Sequence, residues 1–179
     1  MKNKFVENTD GTVTIVLTQG KVAVIDAADV LCVSQHRWFA VKGNGRRSPV
    51  YYAATKMNHR TVFIHRLLFS CRQDIDHING DGLDNRRCNI RVCSNAENSR
   101  NKRHFDGGTS RYKGVSWDKR SHVWHALIKV NYRSISLGRF SCEADGARAY
   151  DTAAREMFGE FARCNFGIDD GGNGANGAT

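Results

Sequence analysis

The chain has 179 residues, 40% of them hydrophobic and 25% charged, and its 27 Lys and Arg outnumber its 18 Asp and Glu for a net charge of +9. This composition excludes wholesale disorder, no run approaches the roughly 20 apolar residues that cross a bilayer, and the length suits one medium domain or two to three small ones. A basic balance lowers the cost of approaching a polyanion but does not name one.

From the amino terminus, Met1-Lys2-Asn3-Lys4 leads into a short strand-like run with no apolar signal core, so the expected compartment is the cytoplasm, with no membrane partner. Thr12–Leu17 and Lys21–Ile25 are β-branched runs around Gln19-Gly20 and read as a hairpin. Asp26-Ala27-Ala28-Asp29 offers a helix start. Trp38–Val41 and Val50–Ala54 read as strands around the loop Gly43–Pro49, and Thr61–Ser70 as a strand running into a short helix. His65, beside Arg66 in that helix, reads as a packed or helix-orienting histidine more readily than as a ligand.

The polar centre of the chain is Asp76-His77-Ile78-Asn79-Gly80-Asp81-Gly82-Leu83-Asp84-Asn85, where carboxylates, an imidazole and carboxamides surround a Gly-rich turn. Asp81, Asp84 and Asn85 read as turn formers or backbone caps. Asn89–Cys93 reads as a strand, and Ser94 with Glu97 as a capping box that opens a helix through about Arg103. A strand, loop, strand and helix in this order can bring Asp76 and His77 near Asn98. Asp76 and Asn98 are hard oxygen donors of the kind Mg²⁺ or Mn²⁺ takes, and a neutral His77 can accept a proton from water. Six cysteines lack a Cys-x-x-Cys pair, which argues against structural zinc and for reduced thiols.

Asp76-His77 with Asn89 and Asn98, and the stretch Asn79 to Cys93, resemble the HNH (ββα-metal) nuclease motif of phage homing endonucleases over about residues 60–104. The resemblance implies phosphodiester hydrolysis with one ion per site, leaving 5′-phosphate and 3′-hydroxyl ends. In that scheme His77 activates water, Asn89 holds the imidazole through a side-chain hydrogen bond, and Asp76 with Asn98 ligates the ion. Arg100, Lys102 and Arg103 would grip the DNA backbone or form a solvated helix face, and Arg86, Arg87 and Arg91 carry the same two readings.

Phe105–Ser110 is a Gly-containing break that reads as a linker, and the pattern restarts beyond it. Strands are expected over Tyr112–Trp117, His122–Asn131 and Arg133–Phe140, and a helix over Glu143–Phe158 with Ala144, Ala147, Tyr150, Ala154 and Met157 on its apolar stripe. Trp117 and Trp124 read as sheet core. Residues 111–140 carry seven basic side chains against Asp118 alone, whereas the helical segment is net negative, so the sheet is the side offered to DNA. Tyr112-Lys113-Gly114-Val115, Leu137-Gly138-x-Phe140 and the helix pattern to Asn165-Phe166 resemble the APETALA-two (ethylene-response-factor) DNA-binding domain. That resemblance implies a three-stranded sheet in the major groove with a helix behind it. Arg111, Lys113, Gly114, Lys129, Arg133 and Arg139 are the expected DNA contacts, while Ser116, Leu127, Ser134 and Ser136 replace family positions that contact DNA.

The expected class is α+β: a β-rich region (1–59), an HNH nuclease (60–104), a linker (105–110), a three-stranded antiparallel sheet packed on one helix (111–166) and a disordered tail (167–179). The expected function is a metal-dependent homing endonuclease acting on double-stranded DNA as a monomer. The competing readings are a non-catalytic DNA-binding regulator with a relic nuclease motif and an RNA-directed nuclease.

Overall fold

The computed structural model describes residues 2–43, 50–102 and 107–167. Most of the Gly43–Pro49 loop, Arg103, the Phe105-Asp106 part of the linker and residues 168–179 of the tail lie outside them. The class is α+β, with several small antiparallel sheets and few helices. The chain divides into two units, 1–99 and 100–179.

In the first unit, β1 (Phe5–Glu7), β2 (Thr12–Val16) and β3 (Val22–Asp26) form one antiparallel sheet. The β2–β3 connection places Gln19 and Gly20 both at positive φ, as a tight hairpin turn requires. A 3₁₀ turn (Ala27–Asp29) continues into α1 (Val30–Val33). A second sheet follows, of β4 (Phe39–Lys42), β5 (Tyr51–Met57) and β6 (Arg60–Phe63), and β6 runs straight into α2 (Ile64–Phe69). Alternation sends Val13, Ile15, Ala23 and Ile25 into one core with Val33, Trp38, Ala40, Ala53 and Ile64. Trp38 is 1% exposed, and its indole N–H donates to the Val33 carbonyl at 2.8 Å, so burial leaves no orphan donor.

A two-stranded hairpin, β7 (Asp74–His77) and β8 (Ile90–Cys93), then leads into α3 (Asn95–Arg100). The capping box forms: the Glu97 amide donates to Ser94 Oγ at 3.2 Å, and the Ser94 amide donates to Glu97 Oε2 at 2.7 Å. The long β7–β8 loop is bolted to the first sheet. The Val24 amide donates to the Leu83 carbonyl (2.9 Å), the Asn85 amide donates to the Val24 carbonyl (2.8 Å), and the Arg87 amide donates to Asp26 (2.7 Å). The Arg87 guanidinium adds two bonds to the buried Asp29 carboxylate, at 2.7 and 3.0 Å.

The second unit is a sheet of β9 (Val115–Asp118), β10 (Val123–Val130) and β11 (Arg133–Phe140), with α4 (Glu143–Phe158) packed on one face. The first strand starts later than the sequence suggests because Gly114 sits at φ +80°, against Tyr150; a Cβ there would lie 2.0 Å from the Tyr150 ring. The helix stripe runs through the buried residues Ala147, Tyr150, Ala154 and Phe158. Met157 is exposed, contrary to expectation: one residue is 100° of helix, so extending the 147-150-154 line by four lands on Phe158. Trp117 and Trp124 are only partly buried and meet edge to face at 4.9 Å. Asp151, buried, accepts the Asn165 and Phe166 amides and the Asn165 carboxamide N–H, all at 2.8–2.9 Å, which closes the unit.

Candidate active site and nucleic-acid surface

Asp76 and His77 end β7, and both are buried. Asp76 Oδ2 accepts from Arg91 across the hairpin at 2.9 and 3.2 Å, since the register pairs Asp76 with Arg91. His77 packs in a nest of rings: His65 edge-on at 4.9 Å and Tyr52 at 6.0 Å, with Phe63 stacked on His65 at 5.5 Å. Gly82 lets the polar loop pass over this nest, because a Cβ there would lie 2.5 Å from the Tyr52 ring.

Burial holds the His77 imidazole below its ordinary pKa, and Asn85, Asp76, Asp81 and Asp84 pull it part of the way back. Burial, with the neighbouring His77 and Arg66, pushes His65 down to about 3. Both rings are therefore neutral bases near pH 7.

The carboxamide that reaches the His77 ring is Asn85, whose Oδ1 lies 3.5 Å from Nε2. An amide oxygen can only accept, so this contact, long as it is, selects the Nε2–H tautomer and leaves the lone pair on Nδ1. The ring bond expected of Asn89 is absent. Asn89 instead holds the loop closed, its Oδ1 accepting the Asn79 amide at 3.0 Å and its Nδ2 donating to the Asp84 carbonyl at 2.8 Å. Two backbone groups in a tight loop compete for the same carboxamide, and they win. Asp84 adds bonds from Asn79 and Arg86, and its hydrogen bonds with Arg86 hold its carboxyl below the usual range. Asn98 stands half-buried on α3, its amide bonded to the Ser94 carbonyl.

Sequence reasoning placed His65 in packing and Asn85 in a turn. Both touch His77, and no local pattern signals a contact made by the tertiary fold. Arg86, Arg87 and Arg91, read as phosphate grips or solvated charges, each pair with a carboxylate: Asp84, Asp29 and Asp76. Among the described residues no group of three or more His, Cys, Asp and Glu side chains is placed to hold a metal ion. Asp76 and Asn98 each carry a side-chain oxygen of the kind hard divalent cations accept, and the Asp76 carboxylate is paired with Arg91.

In the second unit the face away from α4 presents, in rows across the strands, Ser116, His125 and Arg139, then Leu127 and Ser136, then Lys129 and Ser134. Arg139 reaches Asp118 at 3.6 Å and stays largely exposed, and Lys129, Arg133 and Arg111 are exposed as well. His125, unmarked in the sequence reading, bonds Ser136 Oγ at 2.9 Å on this face. Lys113 is drawn the other way. Its ammonium bonds the Arg100 carbonyl and lies 6.0 Å from the Tyr150 ring, and burial, then Arg163, lowers its pKa to about 8. Arg100 lies 4.7 Å over the Phe158 ring, Lys102 is exposed, and Arg103 is outside the described residues. Gly114 shapes the strand start, and its carbonyl accepts the Leu127 amide.

A family model described as the AP2 domain matches residues 110–160. The chain is 32% identical over 136 residues to a protein of Acanthamoeba polyphaga mimivirus named "Uncharacterized HNH endonuclease L560", covering 74% of this chain and 68% of that one. It is 35% identical over 94 residues to "Protein 3.8" of Escherichia phage T7, covering 50% of this chain and 73% of the relative. No helix among the described residues is long and apolar enough to cross a membrane.

Proposed function

Because the chain belongs to the HNH endonuclease family and carries a C-terminal AP2 DNA-binding domain, we propose that it is a metal-dependent endonuclease of double-stranded DNA. The observation that carries this reading is His77: a neutral imidazole next to Asp76, oriented by Asn85 and walled by His65 and Tyr52. His77 takes a proton from the attacking water at Nδ1, while Asn85 keeps the hydrogen on Nε2. The ring nest fixes the imidazole plane, so little reorientation is needed at the moment of attack. Arg91 holds the Asp76 carboxylate in place.

Asp76 and Asn98 are the residues that would hold a Mg²⁺ or Mn²⁺ ion, which when bound supplies Lewis-acid stabilisation of negative charge on the phosphoryl group and the departing 3′ oxygen. The products are then 5′-phosphate and 3′-hydroxyl ends. The AP2 domain adds its own hold on the duplex, which raises the effective concentration of the catalytic unit at DNA.

The test is supercoiled plasmid incubated with Mg²⁺, with chelator, and with His77→Ala protein. Conversion to open-circular or linear DNA should require the ion and fall by about 10²-fold or more in the variant. Equal cutting by the variant would overturn the assignment of His77, and salt-dependent binding without any cutting would return the protein to the regulator reading.

A further inference from the structure

The β10–β11 connection is a two-residue turn, since Val130 pairs with Arg133. Both turn residues have positive φ, +48° at Asn131 and +65° at Tyr132. A turn of this kind favours Asn followed by Gly, because each central residue must enter the left-handed region. Among the described residues the other non-glycine residues at positive φ are Gln19, Asn58, His59, Ser70, His122 and Asn131. Tyr132 stands out among them as the large, apolar-bodied member of the set, and bulky side chains at positive φ are outliers. It gains nothing from packing in return, being 96% exposed. A strained backbone supporting an unpacked ring has no function within the fold, and such strain points outward.

The position names the partner chemistry. Tyr132 sits at the tip of the hairpin, adjacent in sequence to exposed Arg133 and three residues from exposed Lys129, at the end of the basic sheet. We infer that Tyr132 is a DNA-contacting anchor at the end of the AP2 sheet, its ring lying against the sugar wall of the duplex and its hydroxyl donating to a phosphate oxygen. This rests on the DNA-binding reading above and extends it to a turn that the AP2 resemblance does not mark. Tyrosine hydroxyls are regular phosphate donors, and such contacts position a protein without reading sequence. The anchor should therefore matter equally on any duplex.

Strain and contact make opposite demands on this residue, and the experiment uses that opposition. Full-length wild type, Tyr132→Gly and Tyr132→Phe are titrated against two labelled duplexes of unrelated sequence in chelator, so that cutting does not intervene, and each protein's thermal unfolding is recorded. Tyr132→Gly should unfold about 2–5 °C higher, since glycine relieves the left-handed backbone, yet bind about five- to tenfold more weakly. Tyr132→Phe should fall between the two in affinity. A glycine variant that is more stable and binds within twofold of wild type would overturn the inference, as would a loss confined to one DNA sequence. Failure of the wild type itself to bind duplex DNA would instead remove the reading on which the inference rests.

Discussion

Replacing His65 by Phe should make the first unit resistant to mild acid. In the folded protein His65 is 7% exposed and takes up a proton only near pH 3, whereas in the unfolded chain it does so near its ordinary value of 6.5. Between those values the unfolded state binds the extra proton, so stability contributed by the neutral ring is complete above about pH 6.5 and drains away as the pH falls towards 3. From pH 7 to pH 5 the linkage amounts to about 2 kcal/mol for this one residue, a large share of a typical 5–15 kcal/mol. His77, also held low by burial, adds a loss of the same sign to both proteins. Phenylalanine fits the stack on Phe63 and has no proton to gain. Two units make a single melting temperature ambiguous, so the suitable assay is native-state hydrogen exchange of the core β2 and β3 amides at pH 7 and pH 5, corrected for intrinsic rates. Wild type should lose about 2 kcal/mol more than His65→Phe over that interval. Equal losses would refute the linkage and place the proton uptake elsewhere.

Asn85→Ala should lower kcat for plasmid cutting by about ten- to hundredfold with KM little changed, because it frees the imidazole without touching DNA. Asn85→Asp should recover part of that rate and move the acid limb of the pH profile upward, since a carboxylate favours the imidazolium that burial disfavours in wild type. Arg87→Ala should destabilise the first unit by about 2–3 kcal/mol and Asp29→Asn by about 1, measured by urea unfolding, because only the first leaves a buried carboxylate without its partner. Equal effects would contradict that asymmetry. Gly114→Ala should unfold the second unit at ordinary temperature, by about 3 kcal/mol or more, judged by loss of its circular dichroism transition and of duplex binding.

The parts of this protein that were legible in its sequence are those fixed by neighbours along the chain. The Ser94–Glu97 cap, the Gln19-Gly20 hairpin and the span of α4 each depend on residues within a few positions, and each forms as the pattern suggests. Contacts closed by tertiary structure were not legible. Arg87 looks like a free cation until Asp29, 58 residues earlier, is brought to it. His65 looks like core and Asn85 like a turn, and only the folding of α2 and the polar loop around β7 sets both against His77. Lys113 matches a DNA-contact pattern, yet its long side chain finds the Tyr150 ring and a carbonyl nearer. Burial and strand direction decided these cases, and neither is written in local spacing.

The backbone clamp between Val24 and the Leu83–Asn85 segment bears on how such chains can be recombined. A cassette cut at residue 60 and grafted onto a foreign scaffold would carry Asp76, His77, Asn89 and Asn98 intact but lose the rail that keeps the loop in shape, along with Asp26 and Asp29. Such a graft would inherit every diagnostic letter and still leave its imidazole unsteadied. Exchange of catalytic heads among these proteins should therefore succeed only when the crossover falls after residue 99 or brings the first sheet with it.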